Sequence, residues 1–130
     1  MMNREIKFRA RALHRKIWVY GHYYKDKGEH IIVSECNSCI YPDNEKFYPH
    51  TKIDVNTLGQ YTGLKDDKGK EIYEGDIVLD TYTKQLLTVV FRDGEWRIEN
   101  EDYDEALYDA GIEKKVVGNI YEEIGKVKGV

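Results

Sequence analysis

Apolar and polar residues alternate along this chain in short runs, which favours strands over long helices. In "IKFRARA", Ile6, Phe8 and Ala10 alternate with Lys7, Arg9 and Arg11, the two-residue period of a half-buried strand. "KIWVYGHYY" follows after "LHR", with Ile17, Val19 and Tyr23 on one face and Trp18, Tyr20, His22 and Tyr24 on the other. Together the two runs predict an N-terminal β-hairpin extension. "HIIVSE" reads as another short strand. Residues 36–50, "CNSCIYPDNEKFYPH", hold both prolines and predict a long irregular loop.

The second half carries the clearest pattern. "LLTVVFRDGEWRIEN" reads as two strands around Asp93-Gly94, a dipeptide suited to the positive φ angles of a type I′ turn. A two-residue turn sets Arg92 opposite Glu95, Phe91 opposite Trp96 and Val89 opposite Ile98. Leu87, Val89, Phe91, Trp96 and Ile98 then share one face, so Phe91 and Trp96 are expected to be buried neighbours. "NEDYDEALYDAG" predicts a short helix, with Asn100 as cap, Glu101 and Asp102 at the positive end of the dipole, and Gly111 as terminator. Tyr103, Ala106, Leu107 and Ala110 would form its apolar stripe. "KKVVGNIYEE" closes the order as a last strand. The expected fold is mainly β: a small SH3-like or related β-barrel in the C-terminal half, the N-terminal hairpin, and one short helix. We read residues 1–130 as a single domain, with strands and an irregular loop over 1–57 and the barrel-like half over 58–130.

Composition fits a globular protein: of 130 residues, 41% are hydrophobic and 34% charged, and no run nears the roughly 20 apolar residues that span a bilayer. "MMNREIKFRA" has no apolar core of signal-peptide length, so a cytoplasmic location without membrane contact is expected. The net charge of −4 gives the whole chain no general attraction for nucleic acid. Its distribution is uneven. Residues 1–30 hold eight basic and three acidic residues, net +5, which leaves −9 for residues 31–130. A basic arm on an acidic body suits an acidic protein surface or nucleic acid. Lys7, Arg9 and Arg11 beside Trp18 and Tyr20 are therefore the candidate contact residues, with cations for phosphates and rings for bases as the nucleic-acid version. In the other version the rings pack beneath the Arg and Lys stems.

Residues 58–80, "LGQYTGLKDDKGKEIYEGDIVLD", invite a motif test and fail it. Five residues separate Gly63 from Gly69 where a phosphate loop has four, and Lys70 precedes Glu71 rather than Ser or Thr. "DDKG" lacks the alternating oxygen ligands of a calcium loop. A solvated hairpin turn is the expected role, with Gly59, Gly63, Gly69 and Gly75 as structural turn or bulge glycines. Cys36 and Cys39 form "CNSC", a spacing that suits zinc or a redox pair. A structural zinc would need two more ligands, for which only His30 and His50 are convenient. We expect reduced thiols, no metal and no cofactor. The histidines His14, His22, His30 and His50 sit in no recognisable catalytic setting.

"IKFRAR", "IWVYGHYY", "TLGQYTGLKDDKGKEIYEGDIV" and "VVGNIYE" resemble, in order and spacing, the blocks of the YopX family, small mostly-β proteins encoded mainly by bacteriophages and prophages. The resemblance runs from about residue 5 to residue 122; the "CNSC" loop and the tail after "NIYEE" depart from it. It implies no catalytic residues. The resulting expectation is a phage or prophage accessory protein, not an enzyme, that acts by self-association or by binding a host or phage protein. A nucleic-acid-binding module built on the basic hairpin is the alternative.

Overall fold

The computed structural model describes residues 5–34, 49–107 and 113–122. Between Gln60 and Tyr61 the chain divides into two compact units. Among the described residues no helix is long and apolar enough to cross a membrane.

In the N-terminal unit, strands β1 (Phe8–Arg11), β2 (Trp18–Asp26), β3 (Glu29–Ser34) and β4 (His50–Lys52) lie in the antiparallel order β4-β3-β2-β1. The start of β5 (Gly59–Lys65) pairs with the other side of β1 through Phe8–Gln60 and Arg9–Gly59. Strands β1 and β2 are antiparallel neighbours in the register Arg9–Tyr20 and Arg11–Trp18. They lie inside a sheet, with pairing partners on both sides, and are not an appended hairpin. The β2–β3 connection is tight because Lys27 and Gly28 both take positive φ, 49° and 81°, as a type I′ turn requires. Ala10, Val19, Ile32 and Ile53 form the buried core, with Phe8, Tyr23 and Leu58 packed against it. Register explains this set: Ala10 lies opposite Val19 and Tyr23 opposite Ile32, so all point to one face. Gly21 is required where β2 meets β3. A Cβ there would lie 2.0 Å from the carbonyl oxygen of Val33.

The C-terminal unit holds the rest of β5 with β6 (Glu71–Tyr73), β7 (Asp76–Asp80), β8 (Leu86–Arg92), β9 (Glu95–Glu99), β10 (Asp104–Ala106) and β11 (Lys114–Asn119). Five of these make an antiparallel sheet in the order β10-β9-β8-β7-β11. The sheet is open, which corrects the expected barrel. Its outer strands, β10 and β11, are not a hydrogen-bonded pair, and three-residue β10 is too short to supply the stagger that closure needs. Ile72 on β6 joins Val78, Leu87, Val89, Ile98, Leu107 and Val116 in the core, with Leu64 and Trp96 packed against it. Each such fully buried aliphatic side chain contributes about 1.5–3 kcal/mol relative to exposure.

The β8–β9 hairpin has the register its sequence predicts: Val89–Ile98, Phe91–Trp96 and Arg92–Glu95, around Asp93 and Gly94 with φ of 54° and 81°. Phe91 and Trp96 are in edge-to-face contact, ring centroids 4.9 Å apart. Burial differs from expectation. Phe91 is 55% exposed because it sits one pair from the hairpin tip, while Trp96 is half-buried against the core.

The predicted helix is also corrected. Asp104–Ala106 is strand β10, paired with β9 through Asp104–Glu99, Glu105–Ile98 and Ala106–Arg97. Asn100 caps a turn instead, its Oδ1 accepting the N–H groups of Asp102 and Tyr103, each at 2.8 Å. A helix would have stacked Glu101 against Asp104 and Glu105, like charges at i, i+3 and i, i+4. In the strand, Arg97 binds Asp104 at 2.7 Å and also pairs with Glu95. Leu107 is fully buried, its N–H donating to the Trp96 carbonyl at 3.0 Å. Ala110 and Gly111 lie outside the described residues.

Candidate functional site

The block at residues 58–80 is built around buried carboxylates, and its chemistry is internal. Asp66 was expected in a solvated turn, yet it is 6% exposed. Its Oδ1 accepts the N–H groups of Lys68 at 2.9 Å and Lys70 at 2.8 Å, and its Oδ2 accepts that of Val116 at 2.9 Å, fifty residues away. Asp76 is 1% exposed and accepts the Tyr73 N–H at 2.7 Å, which closes the β6–β7 turn. Asp80 accepts the N–H groups of Tyr82 and Thr83, and its other oxygen lies 3.2 Å from Lys114 Nζ. Burial pushes the Asp80 carboxyl up, but the Thr83 N–H, Lys114 and the Tyr82 N–H together outweigh it and hold it below its usual value.

The glycines of this block have distinct roles. Gly59 opens β5 opposite Arg9, and Gly63 lies where the β5–β6 register shifts. Gly69 donates to the Asp66 carbonyl at 3.0 Å. Gly75 turns β6 into β7 with φ of +89°, and a Cβ there would approach the Tyr121 ring to 3.2 Å.

The candidate contact residues lie on the opposite surface of the N-terminal sheet from its core. The strand register sets them in rows: Lys52, Ile31 and Tyr24; His50, Val33 and His22; Tyr20, Arg9 and Gly59; Trp18 and Arg11. The register thus brings Arg9, Arg11, Trp18 and Tyr20 together. Arg9 is only 6% exposed, and its guanidinium carbon lies 5.0 Å from the centroid of the Trp18 ring. That distance is within cation–π range. Lys7 pairs with Glu5 at 3.0 Å. Arg11 is half-buried, its N–H donating to Thr57 Oγ1 at 2.9 Å. Tyr20 and Tyr24 are 46% and 37% exposed, and His22 and His50 are exposed beside them.

The Tyr24 hydroxyl lies 3.0 Å from His50 Nδ1, spanning β3. Sequence reading missed this pair because 26 residues separate its members. On the core side, the Tyr23 hydroxyl lies 2.6 Å from His30 Nδ1, with the two rings stacked. Cys36 and Cys39 lie outside the described residues, and among the described residues no three His, Cys, Asp or Glu side chains gather as a metal site.

These features define a mainly-β protein of two antiparallel units, with acidic side chains spent on backbone amides and a tyrosine-rich sheet face. The family model described as "YopX protein" matches residues 7–125, and the chain belongs to the YopX family. A crystal structure of protein EF1440 from Enterococcus faecalis is similar in fold, with a TM-score of 0.57 at 20% identity, covering 92% of this chain and 96% of that one. No curated protein matches the chain by sequence.

Proposed function

We propose that the protein is a non-catalytic binding module, an accessory protein of phage or prophage origin that works in the cytoplasm through protein–protein contact. The contact surface is the outer face of β2, and a second copy of the chain is the partner its chemistry favours. The exposed Tyr20 and Tyr24 carry the reading. Tyrosine supplies a large, stiff, amphipathic contact area and is enriched at protein interfaces. It carries no fixed charge, so two copies of this face meet about a two-fold axis without like-charge repulsion at the centre. Three of the cations around it are engaged, Arg9 on Trp18, Lys7 with Glu5, and Lys52 with Glu29 at 3.3 Å. That engagement weighs against a track for a phosphate backbone, which needs a line of available cations.

The buried carboxylates support a non-catalytic role, since Asp66, Asp76 and Asp80 each hold backbone N–H groups. Hydrogen exchange at about 10 and about 500 µM protein tests the interface. The reading expects extra protection at high concentration in the amides of β2 and β3. Protection confined to the C-terminal sheet would place the contact elsewhere.

A further inference from the structure

Three cations of the N-terminal unit that form no ion pair among the described residues, Arg11, Arg15 and Lys16, collect at one place, apart from Lys25 and Lys27 at the β2–β3 hairpin. Arg11, Ala12, Leu13, His14, Arg15, Lys16 and Asp54 line a cavity of about 350 Å³. Among the described residues, Arg11, Arg15 and Lys16 form no ion pair, whereas Lys7, Lys52 and Arg97 do. Among the described residues that line the cavity the one carboxylate is Asp54, whose Oδ1 accepts the Asn56 N–H at 3.1 Å as the cap of the 3-10 turn Val55–Thr57. Three permanent positive charges against one negative leave a net +2 in a small volume.

Such crowding is unfavourable in isolation, and the backbone holds it in place. Ala12 N–H donates to the Ile17 carbonyl, Leu13 N–H to the Lys52 carbonyl and Asp54 N–H to the Arg11 carbonyl, each at 2.9 Å. Ala12 also bridges to Ile53. The loop that carries the charges is therefore pinned at both ends and against the strand beside it.

We propose that this loop forms a binding site for a small phosphate-bearing ligand. An Arg guanidinium offers the planar fork that a phosphoryl group accepts in bidentate fashion, and a neighbouring Arg and Lys add charge-assisted bonds. Leu13, 50% exposed, lines the same cavity and gives an apolar contact for a ring or sugar next to the phosphate. The cavity falls at the lower end of the roughly 300–1,000 Å³ range of small-molecule sites, which suits a mononucleotide-sized compound. Three cations in one cavity of this size favour a single phosphoryl group over a nucleic-acid strand, which needs cations spaced along a track.

Isothermal titration of the full chain with inorganic pyrophosphate, adenosine monophosphate and a 12-nucleotide strand without terminal phosphates tests the proposal. Saturable binding of both small probes is expected, weakened about tenfold or more in Arg15→Ala/Lys16→Ala. Those two side chains are exposed, so the fold should be unaffected, which circular dichroism checks. Arg11→Gln, which keeps much of the stem packing, should weaken binding as well. Absence of binding at millimolar probe, affinity unchanged in both variants, or tighter binding of the strand than of the mononucleotide would each overturn it.

Discussion

Replacing Asp66 with Ala removes one carboxylate and strands three N–H groups. Their bonds, at 2.8–2.9 Å to Lys68, Lys70 and Val116, are short and charge-assisted. The Lys68 and Lys70 amides lie in an exposed turn, where water replaces the lost acceptor, so each bond costs about 1 kcal/mol. Val116 is buried in β11, and an N–H left there without acceptor or water costs about 1–3 kcal/mol. The sum, about 3–5 kcal/mol, is a large share of the roughly 5–15 kcal/mol that keeps a domain folded. Asp66→Asn keeps one acceptor oxygen and the turn preference but turns an N–H₂ toward a donor, so a loss of about 2 kcal/mol is expected. Urea denaturation reads the total, and native-state hydrogen exchange reads the Val116 amide itself. A shift under about 0.5 kcal/mol for Asp66→Ala, with Val116 protection unchanged, would refute the reasoning and return the turn to a solvated role.

Three further outcomes follow from the geometry. Trp96→Ala should cost about 2–3 kcal/mol, less than a fully buried Trp because part of its surface is already wet, whereas Phe91→Ala should cost about 1 kcal/mol; equal losses in chemical denaturation would contradict the burial difference. Asp80 is held below its usual value in the folded state, so its contribution is complete above the unfolded value of about 3.9 and is lost as pH falls through the lower folded value. The stability gap between wild type and Asp80→Asn should therefore narrow as pH drops from about 6 toward 3, and a gap that widened would reverse the sign. Duplex DNA should bind no more tightly than a nonspecific contact of roughly 10⁻⁴–10⁻⁶ M at physiological salt, and submicromolar affinity lost in Arg9→Ala/Arg11→Ala would favour nucleic acid instead.

What the sequence made legible was local. The β8–β9 register followed from Asp93-Gly94 and two-residue alternation, because turn chemistry and binary pattern act over a few residues. The Phe91 exposure did not follow, since alternation assigns a face and says nothing of how far a hairpin tip extends past the core. Strand β10 was hidden for the opposite reason: the spacing of Tyr103, Ala106 and Leu107 suits a helix, and only the β9 edge and Arg97 decide otherwise. The open sheet is a question of closure between β10 and β11, which no local pattern encodes. In the candidate site, the β1–β2 register brings Arg9 beside Tyr20 and Arg11 beside Trp18, as alternation in both runs suggests. The closure of the 12–16 loop by Lys52 and Asp54, and the pairing of Tyr24 with His50, join distant segments and leave no periodic trace.

Sedimentation velocity across about 5–500 µM tests the central claim, that the outer face of β2 is a protein-binding surface used by a second copy. The exposed part of a four-strand face at about 4.8 Å per strand covers less than the roughly 800 Å² per partner of a standard interface, so weak, concentration-dependent dimerisation is expected. Wild type should shift toward dimer over this range, whereas Tyr20→Glu/Tyr24→Glu, folded by circular dichroism, should stay monomeric. A wild type that remains monomeric throughout, or a double variant that dimerises as wild type does, would contradict it.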